Sequence, residues 1–143
     1  MASNLSIPRP ALYLGLSGLL PFLAGTGLHL ASTYSDGIDI LTCYGTVILC
    51  FMSGVLWGFA ARDPNQTNHL WAYAFSTVPA LWAFFATITP GINLLVALLL
   101  GFVGLLALDW LFAHRGLAPP WWMRLRILLT LVVVVCLLIA LLL

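Results

Sequence analysis

Few side chains in this sequence can do chemistry, and one of them, Asp109, is a carboxylate inside a long apolar run. An acid at the centre of a membrane helix costs roughly 3 kcal/mol on insertion scales, and less near the ends. Such groups normally take a partner or carry a proton or ion. Arg124 and Arg126 follow the Pro119-Pro120 turn and reach matching depth if the next segment folds back on the Asp109 segment. The expectation is a structural ion pair drawn from Asp109, Arg124 and Arg126. A proton- or ion-coupling acid is the alternative.

His69, Tyr73 and Ser76 open a second set, continued at heptad-like spacing by Ala80, Ala83 and Thr87. Polar atoms avoid lipid, so this stripe should point into a bundle. Its histidine and tyrosine could hold a quinone headgroup or pass a proton, or simply mark a membrane interface, where such side chains settle. His29, Asp36 and Asp39 fit no standard metal-ligand spacing and read as part of a solvated loop. Cys43 and Cys50 stand seven apart on one expected helix, about 10 Å along its axis. That separation exceeds what a disulfide spans. With Cys136 they read as inert buried thiols. The sequence contains no Cys-x-x-Cys pair and no nucleophile–base or paired-carboxylate constellation. A non-enzymatic protein without metal or cofactor is the expectation.

These residues sit on elements that composition makes plain. Apolar residues are 63% of the 143, charged residues 6%, and there is no lysine. A soluble domain carries roughly 25% charged residues, so the surface of this chain must face something apolar. A net charge of +1 offers no footprint for nucleic acid. Crossing a bilayer takes about 20 mostly apolar residues, and the runs at about 11–31, 40–61, 69–88, 92–113 and 121–143 all qualify. Their continuity excludes alternating barrel strands. The reading is all-α: a single domain over 1–143, a compact bundle of about five transmembrane helices. The first run, interrupted by Pro21 and without a convincing cleavage site, is expected to remain as a span.

Small residues report where helices approach, because lipid tails are as apolar as leucine and association needs close backbone contact. Gly15 and Gly18 lie on a stripe with Ala11, Phe22, Gly25 and His29. Gly54 and Gly58 form a GxxxG spacing, and Gly101 lies near Ala97 and Gly104. All are expected to pack within the bundle, with docking to a second copy or another protein as the alternative. Pro21 and Pro79 each free a carbonyl four residues back, on Ser17 and Phe75, that a neighbour must satisfy. Arg9, Arg62, Arg115, Arg124 and Arg126 fall on one side of the membrane, opposite Asp36 and Asp39. The positive-inside rule then puts the amino terminus in the cytoplasm.

Four stretches carry a resemblance: Ile7-Pro8-Arg9-Pro10 with Leu14-Gly15-Leu16-Ser17-Gly18-Leu19; Gly54-Val55-Leu56-Trp57-Gly58; Val78-Pro79-Ala80-Leu81; and Pro119-Pro120-Trp121-Trp122-Met123-Arg124-Leu125-Arg126 running into Leu128-Leu129-Thr130. Together and in this order they resemble a family of bacterial integral membrane proteins known only as a domain of unknown function, with small mitochondrial transmembrane relatives. The family pattern often has a polar residue where this chain has Leu56. The resemblance implies a full-length match to a single-domain membrane family and a bacterial inner membrane, or alternatively a mitochondrial one; it carries over no catalytic residue. The functional expectation is a non-enzymatic accessory or assembly factor in the bilayer, as a homo-oligomer or in a larger complex. A small transporter or channel is the first alternative, a quinone- or lipid-binding enzyme the second.

Overall fold

The computed structural model describes residues 6–31, 34–62 and 70–143. Among them the chain is helical throughout, without a strand: α1 Arg9–Ser17, α2 Leu20–Leu30, α3 Tyr34–Ala61, α4 Leu70–Ile88, α5 Leu94–His114 and α6 Trp122–Leu142. Helices α1 and α2 form one span, Arg9–Leu30, and the whole makes five helices that are long and apolar enough to cross a membrane. The first span is split where continuity was expected. Leu19 N–H bonds back to Leu16 in a tightened turn, and Pro21 sits in the first turn of α2, where a missing N–H costs nothing.

Local signals set the other boundaries. Asn93 caps α5, its side chain accepting from Leu95 N–H at 3.0 Å and Val96 N–H at 3.4 Å, so the helix begins two residues later than the apolar run suggested. At the far end Gly116 adopts φ +74°. Leu117 N–H bonds to Phe112 O at 2.9 Å and Gly116 N–H to Ala113 O at 3.0 Å. This is a Schellman cap, and the buried Leu117 and Phe112 supply its hydrophobic contact. Gly91, φ +82°, turns the short α4–α5 connection.

Helix α3 is longer than expected, 28 residues or about 42 Å. Its additional amino-terminal turns include Asp36 and Asp39, which therefore lie on a helix rather than in a loop. Both are exposed, near the positive end of the helix dipole. Helix α3 packs against α2, α4 and α5, while α6 closes the bundle against α5, α2 and α1. Its buried side, Leu41, Leu49, Met52, Leu56 and Ala60, meets Phe22, Leu98, Phe102, Phe112 and Leu137 in one core. Leu56, beside Trp57 in the GxxxG stretch, is fully buried and faces inward.

Candidate functional site

Helix α5 is apolar around its whole circumference except at Asp109 and the terminal His114, and α6 returns beside it from the Pro119-Pro120 turn. Trp122, half-buried in the first turn of α6, donates Nε1–H to Asp109 Oδ1 at 2.7 Å. One turn further on, Arg126 Nε donates to Asp109 Oδ2, also at 2.7 Å. Both carboxylate oxygens are engaged. The two side chains are 0% and 5% exposed. Arg126 also lies 6.0 Å from the Trp122 ring centroid. The pair is net neutral, which is how an acid is accommodated in a medium that will not solvate a lone charge.

Arg124 does not join them. It is exposed, because residues two apart on a helix point about 200° away from each other. Of two arginines at matching depth, only one can face α5.

The same end of the bundle also carries Arg62, His114 and Arg115. Arg115 sits over Trp71 at 5.3 Å, and His114 stacks on Trp110 with centroids 5.2 Å apart. Arg62, Phe59 and the Ala113–Pro120 turn line an open groove of about 470 Å³. Cations above a ring of aromatics are the usual dressing of a membrane–water interface.

The polar stripe is resolved in part. His69 lies outside the described residues. Ser76 is fully buried and donates to Tyr73 O at 2.7 Å, while half-buried Tyr73 meets Trp57 edge to face, centroids 4.9 Å apart. On α3, Ser53 donates its hydroxyl to Ser76 O, and Tyr44 donates to Gly18 O at 3.1 Å. Those acceptors lie one residue beyond the carbonyls expected to be freed by Pro79 and Pro21.

The small residues divide into two groups. A Cβ on Gly101 would come within 2.7 Å of Leu49, and one on Gly15 within 3.1 Å of Leu129, so both mark tight crossings. At Gly18 it would meet first the carbonyl oxygen of Gly15, at 3.2 Å. Gly54, Gly58 and Gly104 differ: nothing lies within 4 Å of a Cβ there. The expectation that the GxxxG spacing packs inside the bundle is corrected; it faces outward, because α3 spends Leu49, Ser53, Leu56 and Ala60 on its inward contacts. Cys43 and Cys50 are exposed on the same outward side, and only Cys136 is buried.

Sequence reasoning missed Trp122, Thr130, Ser53, Tyr44 and Gly37. Gly37 is the closest crossing of all, since a Cβ there would stand 2.6 Å from Gly25 O and His29 N. Its position in an expected loop concealed it. Trp122 could have been found, standing four residues before Arg126 on the same face.

His29 is buried on α2, whereas Asp36 and Asp39 are exposed on α3. Among the described residues no three potential metal ligands gather.

Comparison with known proteins agrees with this architecture. Residues 7–142 match the family described as Protein of unknown function (DUF3429). Transmembrane protein 69 of Xenopus tropicalis is 38% identical over 135 residues, covering 89% of this chain and 51% of the frog protein. Transmembrane protein 69 of Mus musculus is 31% identical over 133 residues, 90% of this chain and 54% of its own length. The chain thus spans about half the length of the curated relatives it matches. No solved structure matches it significantly. A match over nearly every residue, on five helices that can each cross a membrane, means that this chain belongs to the DUF3429 family of multi-pass membrane proteins.

Proposed function

We propose that this protein is a non-enzymatic accessory or assembly factor that docks on other membrane proteins, in a bacterial inner membrane with its amino terminus in the cytoplasm. The observation that carries the reading is the outward stripe of α3. Cys43, Val47, Cys50, Gly54 and Gly58 recur at four- and three-residue steps and are all exposed. Two of them leave room for a foreign backbone to approach directly. A surface that met only lipid would gain nothing from glycine, which weakens a helix by about 1 kcal/mol relative to alanine. A partner helix does gain from it. The fully engaged Asp109 supports the same reading, since its oxygens are occupied in joining α5 to α6.

The test is purification of the tagged chain from native membranes in mild detergent. Wild type should retain a membrane protein at fixed ratio, and the Gly54→Leu/Gly58→Leu variant should lose it at unchanged abundance. If that partner is a second copy, oxidation should crosslink Cys50 to Cys50. A double variant that keeps every partner, or a wild type that holds none and does not crosslink, would refute the docking role.

A further inference from the structure

The Asp109 contact leaves part of Arg126 unaccounted for. Its Nη2 is buried and has no hydrogen-bond partner in the protein, and the same holds for Thr130 Oγ1 one turn along α6. Both residues are 4% exposed. Both line a recess of about 130 Å³ between the first span, α3, α5 and α6. The recess runs from the surface to the core: Leu14 and Phe51 on its wall are 73% and 64% exposed, while Phe22 and Phe102 are 1% and 0%. Its mouth therefore opens sideways, toward lipid.

A buried donor without a partner costs about 1–3 kcal/mol, more when charged. Two of them on one wall of a recess define what would fit. The guanidinium only donates, and a threonine hydroxyl can also donate, so the complement is an oxygen that accepts. Charge narrows the class further. Asp109 already neutralises Arg126, so an anion would bring an uncompensated charge into an apolar wall, and a cation would face the guanidinium. Size sets the remaining limit. Small-molecule sites that enclose a ligand measure about 300–1,000 Å³, and this recess takes roughly the volume of four waters. Only the head of a larger molecule enters, and the rest stays among the lipid chains.

We propose that this recess binds the carbonyl head of a neutral, membrane-dissolved amphiphile. The acceptor oxygen takes the Arg126 Nη2 and Thr130 Oγ1 donors once the lining side chains give way to it, since both atoms are fully buried as the recess stands. Phe22 and Phe102 lie against its apolar part. The carbonyl belongs to a quinone ring or to an acyl ester. This site is separate from the α3 stripe, so partner docking can fail without affecting it.

The experiment uses the full chain, delipidated in dodecyl maltoside, with decylubiquinone and dioleoylglycerol as separate probes and the thermal unfolding midpoint as readout. Binding to the native state raises the midpoint saturably. At least one probe should do so, and the one that does identifies the ring or the ester as source. Thr130→Val, equal in size but without the hydroxyl, should weaken apparent affinity roughly 2- to 10-fold. Thr130→Ser, which keeps the hydroxyl, should bind as wild type does, and it decides the matter should the valine variant not fold. The proposal is overturned if neither probe raises the wild-type midpoint. It is equally overturned if wild type and Thr130→Val respond alike, because the probe is then acting on the micelle, or if Thr130→Ser loses the response.

Discussion

At the scale of single residues, Asp109 joins two helices through two different donors, and the energetics of removing each can be told apart. Asp109→Ala leaves Arg126 charged and buried without its counter-ion, a loss of about 3–5 kcal/mol. Removing the arginine as well should restore much of it, so Asp109→Ala with Arg126→Leu should be clearly more stable than the sum of the single losses. The same cycle with Arg124→Leu should be additive, since that side chain is exposed and two residues out of phase. Detergent unfolding of the four variants in each cycle measures both. Coupling at Arg124 and additivity at Arg126 would contradict the geometry. Trp122→Phe keeps an aromatic ring, though a smaller one, and drops one bond to the carboxylate, for an expected loss of about 1.5–3 kcal/mol.

At the scale of elements, α3 is the organising helix. One side supplies hydroxyls to backbone carbonyls of two other helices, from Tyr44 to Gly18 and from Ser53 to Ser76, close to prolines that interrupt or strain those helices. In lipid no water competes for such carbonyls, which is why a neighbouring helix serves them. The amino-terminal turns of α3 cross α2 at Gly37 and Gly25 with backbone against backbone. Gly37→Ala would place its Cβ 2.6 Å from a carbonyl oxygen and an amide nitrogen that cannot swing aside. The variant should lose folded protein in the membrane, by several kcal/mol if measured as stability. Gly54→Ala and Gly58→Ala meet nothing and should stay within about 0.5 kcal/mol of wild type or exceed it, as exposed substitutions do. Equal losses at Gly37 and Gly54 in the same abundance assay would refute this division of the glycines.

At the scale of the whole molecule, the described arginines gather at one end of the bundle with Trp71 and Trp122, and Asp36 and Asp39 stand at the other. Reporter fusions at the amino terminus and after Arg115 should be active in the cytoplasm, and a fusion at Leu143 outside it. Cytoplasmic activity at Leu143 would refute the orientation.

Which stretches cross the membrane was legible in the residues alone, because transfer into hydrocarbon is a nearly additive property of local composition. The Pro119-Pro120 pair likewise announced its turn through its own backbone preference. That Asp109 needed a partner was also legible, from the cost of a lone charge. Which arginine would serve was not, nor which glycines would meet a neighbour, nor that Arg126 and Thr130 share a recess. Those depend on the rotation of each helix about its axis and on which helix stands beside it. The rotation of α3, with Leu56 inward and Gly54 and Gly58 outward, follows from packing against α2, α4 and α5 at once. An almost uniformly apolar sequence carries only a faint signal of that angle, since either side of the helix is compatible with lipid.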